Sequence, residues 1–447
     1  MYCMAGLILG VWAAASAEPV VEWSFETAGK IYASPILSDI DGDGKTEVIV
    51  CASRDKRVIC LDCDGELRWD YGIGDAGSDG IQATPSALDY DDDGKVETFF
   101  VTSGGVAGCL DYQGQLIWRI FTGDHVDYSG PVLADIDNDG RIEVVFGSDS
   151  GTVYCLDDAG IERWHYQGRG QVRGIPAVAW HEPSGSMRVY ATFGEGALAC
   201  LSSDGKVVWQ YDEPGPRGER RSGPAIGDVD GDGAAEVVSA TEDGQVVVRD
   251  AFTGAEEWRW KAGHRIDTTH SFALADFGDG RLDILCGDGS GQGGPGSVYR
   301  LRDGQPLWMS DVGGSVVQGP SVGDVDGDGA LEVLVCSRSK RMICLSANGE
   351  EKWSVPSSTE VLTTPALGDI DADGKVEIVF TSKDHLVRCV TVGGAYDPAK
   401  LPWPMMNHDP QLSGNVHGAS FTATPAATPA SMPPNLALDR FTPLHMG

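Results

Sequence analysis

Between residues 222 and 260 the apolar and polar positions fall into four short runs broken by turn residues. SGPAIGDV runs into an acidic loop, EVVSAT alternates, and Glu242-Asp243-Gly244 turns the chain. QVVVRD alternates again, Thr253-Gly254 turns it back, and EEWRW ends the unit. Alternation with period two, bounded by Gly, Asp and Asn, is the pattern of antiparallel strands joined by tight turns. No segment of the body carries a helical period.

The unit repeats. Asp39-Ile-Asp41-Gly-Asp43-Gly-Lys45-Thr46-Glu47 returns in close variants starting at Asp89, Asp135, Asp228, Asp324 and Asp369. A shortened form, DFGDGRLD, starts at Asp276, and AVAWHEPSGSMRVY fills the remaining place at 177–190 without the acids. The spacing is about 47 residues, which makes eight units. A second marker, Gly-x3-Trp, keeps the same beat at Trp69, Trp118, Trp164, Trp209, Trp258, Trp308 and Trp353. Four antiparallel strands per unit, eight times over, predict an all-β, eight-bladed β-propeller spanning 18–414. The recurring Trp is expected as an apolar plug between neighbouring blades. Only seven units have their own Gly-x3-Trp strand. The segment VVEWSFE, residues 20–26, is expected to supply the fourth strand of the last blade and close the ring, with Trp403 as its rival.

Composition sharpens this picture. Gly makes up 60 of 447 residues, as many tight turns require, and 67 Asp+Glu against 33 Lys+Arg leave a net charge of −34. Such a chain repels nucleic acid and anionic membrane surfaces and attracts cations. Residues 1–17 are uncharged, carry an apolar stretch too short to span a bilayer, and end in Ala15-Ser16-Ala17, which reads as a cleaved export signal. The protein is therefore expected to be secreted, periplasmic or at the cell surface, and not membrane-spanning. Residues 415–447 hold a Thr/Pro/Ala-rich linker and a short tail.

The acidic loops carry the clearest chemistry. In D-x-D-x-D-G-x-x-E, oxygens at alternate positions of a curled loop converge on one point, Gly allows the turn, and the seventh residue offers only its backbone carbonyl. Oxygen ligands without His or Cys select Ca²⁺. The predicted ligand sets are Asp39, Asp41, Asp43, Lys45 and Glu47; Asp89, Asp91, Asp93, Lys95 and Glu97; Asp135, Asp137, Asp139, Arg141 and Glu143. The later sets are Asp228, Asp230, Asp232, Ala234 and Glu236; Asp324, Asp326, Asp328, Ala330 and Glu332; Asp369, Asp371, Asp373, Lys375 and Glu377. About six structural Ca²⁺ ions are expected, none in blade 4 and weak or no binding in blade 6. The competing reading is a set of acidic hairpin turns, which does not require Glu at a fixed ninth place.

These loops, with the strands before them (Gly223 to Asp228, Gly319 to Asp324), resemble FG-GAP repeats, the calcium-bearing β-propeller of integrin alpha subunits and many exported bacterial proteins. The Gly-x3-Trp strands and the ending W403-P-M-M-N-H-D-P-Q-L-S-G414 resemble PQQ-like (quinoprotein-type) eight-bladed propellers. The resemblance implies calcium loops on one face acting as structural staples. It leaves function open, since fold does not fix activity. Integrins have seven blades, and the adjacent Cys-Cys typical of PQQ-dependent dehydrogenases is missing here.

Ten cysteines follow residue 17, and Cys60, Cys109, Cys155, Cys200 and Cys344 sit at one repeated third-strand place, with Cys389 near it. That suggests a repeated packing slot. A two-residue turn at Asp55-Lys56 sets Cys51 opposite Cys60, and a turn at Ser339–Arg341 sets Cys336 opposite Cys344. Each pair is read either as a cross-strand disulfide or as two facing thiols.

Catalytic signatures are poor: there is no nucleophile elbow and no HExxH, and the His are scattered. The face away from the acidic loops is left for a ligand. Residues before each inner strand ring the channel mouth there: Tyr32, Gln82, Tyr128, Arg173, Arg221, His270 and Gln318. Arg169, Arg173, Arg217, Arg220, Arg221, Lys261 and Arg265 are concentrated in the connections leaving blades 3 to 5. Arg forks suit carboxylates and sulfates, so either an anionic-glycan site or a set of local ion pairs is expected. The function these observations favour is a non-catalytic ligand-binding or adhesion module for a protein or glycan. The alternatives are a lyase-like polysaccharide enzyme using Tyr128, Arg173 and His270, and a quinoprotein-like redox or assembly scaffold.

Overall fold

The computed structural model describes residues 18–416 except 75–79, 182, 195–196, 213–221, 242, 265, 267–271 and 290–293. The expected export signal, most of the tail, Arg217, Arg220, Arg221, Arg265 and His270 therefore lie outside the described residues.

Thirty-two strands form eight four-stranded antiparallel sheets, and the one helical element is a 3₁₀ turn at Pro398–Lys400. The chain is an all-β, eight-bladed propeller. Blade 1 consists of Ile36–Ser38, Glu47–Ala52, Arg57–Leu61 and Leu67–Gly72, from the channel outwards. Blades 2 to 7 repeat this order over 86–121, 132–167, 177–212, 225–261, 273–311 and 321–356. In blade 8 the inner three strands are Ala366–Gly368, Lys375–Thr381 and Leu386–Ala395, and the outer strand is Val20–Glu26 from the start of the chain. That outer place is not taken by Trp403, which lies fully buried beside Val322.

The two middle strands of a blade are buried on both faces, whereas the outer strand alternates, as Glu162–Gln167 does. The outer-strand Trp side chains join neighbouring blades. Trp69 donates its Nε1 to Tyr112 O at 2.9 Å, Trp118 to Asp158 O at 2.7 Å and Trp164 to Ser203 O at 2.7 Å, each in the turn of the next blade. Trp23 does the same to Cys63 O of blade 1 at 2.8 Å. The ring of each lies flat over a turn glycine. At Gly160, with φ +76°, an added Cβ would stand 2.6 Å from the Trp118 ring, so only glycine fits. Trp353 departs from this pattern. Its Nε1 is buried without a partner because blade 8 joins its third and fourth strands from opposite chain ends and has no such turn.

The repeated cysteines fill one slot: Cys60, Cys109, Cys155, Cys200, Cys344 and Cys389 stand opposite Trp69, Trp118, Trp164, Trp209, Trp353 and Trp23. The cross-strand cysteine pairing is corrected. Cys51 faces Val58 while Cys60 faces Ile49, and Cys336 faces Met342 while Cys344 faces Leu334. The turn over residues 53–56 is longer than two residues and ends on Lys56 at φ 56°, which shifts the register by two. All ten cysteines among the described residues are free and buried, and burial pushes thiols such as Cys109 and Cys286 well up, so they pack as apolar groups.

Candidate metal centres and binding face

Each acidic loop joins the inner strand of a blade to the second strand, so all of them open on one face. In the six intact loops the sixth-position glycine (Gly44, Gly94, Gly140, Gly233, Gly329, Gly374) has φ between +80° and +93°. That left-handed turn lets its N–H donate to the first Asp, for instance Gly233 N to Asp228 Oδ2 at 2.9 Å. The ninth-position Glu begins or enters the second strand and is buried. Its Oε2 accepts the N–H of the loop's second residue: Ile40 at 2.9 Å, Ile136 at 3.0 Å, Val229 at 2.8 Å, Val325 at 3.0 Å and Ile370 at 2.9 Å. One carboxylate oxygen is thereby spent on the loop and the other faces the acidic cluster.

Carboxylate oxygens of Asp39, Asp41 and Glu47, of Asp89, Asp91 and Asp93, of Asp135, Asp137 and Glu143, and of Asp228, Asp230 and Glu236 lie within 4.8 Å of one another in each group. These clusters have the donors and the spacing for a hard divalent cation. Burial, followed by repulsion from neighbouring carboxylates, pushes Glu97, Glu143, Glu236 and Glu377 up to about 8. An ionised Glu there lacks enough positive charge around it. At Glu236 the mismatch is plainest, since the side chain is fully buried and its Oε1 has no hydrogen-bond partner. A cation bound among Asp228, Asp230 and Glu236 would satisfy that atom.

The two degenerate loops are closed by arginine. In blade 4, Ala179 pairs with Arg188 where Gly227 pairs with Glu236 in blade 5, so a guanidinium replaces the ninth-position acid. In blade 6 the same place is Asp283, whose fully buried carboxylate is bridged by Arg300 at 2.6 Å and by Arg302.

The chain itself adds a further layer inside the ring. Backbone carbonyls of Trp403, Pro404, Pro410, Gln411, Ser413 and Gly414 accept the N–H groups of Val322, Leu367, Ala87, Leu133, Val178 and Ile226, all at 2.8–3.0 Å. The donors belong to the inner strands of blades 7, 8, 2, 3, 4 and 5. Residues 403–414 thus line the channel wall as an extra inner layer, with Trp403, Met405, Met406 and Leu412 buried. Beside blade 6 a pocket of about 640 Å³ remains, bounded by Leu274, Leu282, Pro398, Pro402, His408 and Asp409.

The predicted ligand positions fall into two groups on the other face. Gln318 is buried and bonded to Ser34 and to Thr364 N at 3.1 Å, and it donates to Tyr32 O at 3.3 Å. Gln82 donates to Asp127 at 3.3 Å. Arg173 forks onto Asp149 at 2.8 and 2.5 Å and reaches Asp127 at 3.3 Å, with half-buried Tyr128 nearby. Lys261 pairs with Asp243 at 3.0 Å. Arg173 and Lys261 are therefore engaged by neighbouring acids.

Comparison with known proteins agrees with this architecture. Residues 54–259 match the family model of the outer membrane protein assembly factor BamB, and residues 277–335 and 324–380 match FG-GAP-like repeats. The chain is thus a propeller that joins PQQ-type and FG-GAP-like repeats in one ring. The crystal structure of BamB from Moraxella catarrhalis is 18% identical, with a TM-score of 0.57 over 84% of this chain and 98% of that one. Two quinohemoprotein alcohol dehydrogenases are 14% identical. ADHIIG from Pseudomonas putida HK5 has a TM-score of 0.63 over 85% of this chain and 77% of its own. The Comamonas testosteroni enzyme has 0.64 over 87% and 78%. At these identities the likeness is one of fold. No curated protein matches the sequence.

Proposed function

We propose that this protein is an exported, calcium-stabilised propeller that binds a protein or glycan partner on the face opposite its acidic loops and performs no catalysis. The observation carrying this reading is the segment 403–414, which narrows the channel with an extra inner layer on six blades and favours the loop surface as the place for a partner. No helix among the described residues is long and apolar enough to cross a membrane. The match to an assembly factor favours a protein partner over the lyase reading, since Arg173, one of the residues a lyase would need, is tied to two carboxylates.

For glycans, the proposal narrows to an anionic class whose sulfate or carboxylate would displace Asp149 and Asp127 from Arg173 in the Arg-bearing connections of blades 3 to 5. A glycan array probed with the calcium-loaded chain is expected to retain it on sulfated or uronate-containing glycans. Arg173→Ala with Arg221→Ala is expected to abolish that retention. Retention unaffected by both substitutions removes the anionic patch from the account.

A further inference from the structure

In all eight blades the residue immediately before the outer-strand Trp is a β-bulge: the register skips it, as between Cys60↔Trp69 and Leu61↔Leu67. A bulge re-aims the side chain of its extra residue. The bulge residues are Arg68, Ile117, Arg163, Val208, Glu257, Leu307, Lys352 and Glu22 in blades 1 to 8.

Where the bulge residue is basic, it reaches into the acidic loop of its own blade. Arg68 bridges Asp41 and Glu47. Arg163 meets Asp137 at 2.6 Å, Asp139 at 3.4 Å and Glu143. Lys352 meets Asp326 at 2.5 Å, Asp328 at 3.3 Å and Glu332 at 3.0 Å. In each case a fixed cation joins the ninth-position Glu to the Asp residues that a metal would gather.

Blade 5 is the opposite case. Its bulge residue is Glu257, and among the described residues no cation pairs with Asp228, Asp230, Asp232 or Glu236. The buried Glu236 Oε1 is left without a partner, whereas Arg68, Arg163 and Lys352 occupy that oxygen on Glu47, Glu143 and Glu332; in blades 3 and 7 the unpartnered oxygen is instead an Asp one, Asp137 Oδ1 and Asp324 Oδ1. Glu257 occupies the bulge place from which Arg68, Arg163 and Lys352 reach the acidic loops of their own blades. Blades 2 and 8 also lack a basic bulge residue. Loop 8 carries an ion pair between the exposed side chains of Lys375 and Asp373.

We propose that the bulge residue selects the cation of each acidic loop: the chain's own Arg or Lys in blades 1, 3 and 7, and Ca²⁺ in blades 2, 5 and 8, with Glu257 as an added carboxylate ligand in blade 5. This rests on the calcium reading above and replaces six equivalent sites with two classes. A tethered cation and a metal ion compete for the same oxygens, so a loop holding the first binds the second less tightly.

Native mass spectrometry of the full chain, titrated with CaCl₂, tests it. Three tight Ca²⁺ ions are expected for the wild type, two for Glu257→Arg and four for Arg68→Glu. In chelator, Glu257→Arg is expected to melt no lower than the wild type, because it supplies its own cation. Six equivalent ions, with the count unchanged in both variants, overturn the selection rule and leave the calcium reading standing. No bound calcium in any variant overturns both.

Discussion

A chain ending at Ala395 is expected not to yield a cooperatively folded propeller. All the strands remain, yet the truncation removes six carbonyl partners from inner-strand N–H groups in six blades. It also removes the buried side chains of Trp403, Met405, Met406 and Leu412. Each backbone bond contributes about 1 kcal/mol net and each large apolar side chain about 2–3 kcal/mol. The loss is roughly 15 kcal/mol, at the upper end of the net stability of a typical domain, about 5–15 kcal/mol. Exposed inner-strand N–H groups around an open channel would also favour association between copies. Size-exclusion chromatography and thermal unfolding check this. A truncated monomer that melts near the full chain would show the inner layer to be dispensable.

The second large effect lies between blades. Trp118→Ala is expected to cost about 3 kcal/mol, the low end for a Trp because this one is only partly buried. It removes the bond to Asp158 O, the contact with Gly160 and the edge contact with Phe99 at 6.1 Å. Gly160→Ala alone is expected to cost about 1–2 kcal/mol from the positive φ, plus the clash of its new Cβ with the indole. Because the clash needs the ring, Gly160→Ala is expected to cost less when Trp118 is already Ala. Strict additivity of the two losses in denaturant melts would contradict the packing described.

Much of the architecture could be read from the chain because it is periodic. The acidic phrase and Gly-x3-Trp fix where strands begin and end, and SGPAIGDV to EEWRW maps onto the observed strands of blade 5. The cysteine register was not legible, because a turn ending on Lys56 at positive φ shifts pairing by two, and the letters do not display φ. The bulge residue was hidden for a related reason. Arg68, Glu257 and Lys352 look like ordinary outward positions of an alternating strand, and only the register skip turns them toward the loops. The place of residues 403–414 depends on contacts with strands up to several hundred residues earlier, which no local pattern encodes. A signal was present in Trp403-Pro-Met-Met, an apolar run following the last blade strand with no partner of its own.

The central claim is that divalent ions held by carboxylates brace one face of the ring. Metal analysis of the purified protein, paired with melting curves in CaCl₂ and in EDTA, tests it most directly. The account predicts bound calcium and a melting temperature lowered by the chelator and restored by added Ca²⁺. Protein free of calcium whose melting temperature is the same in both solutions would contradict it.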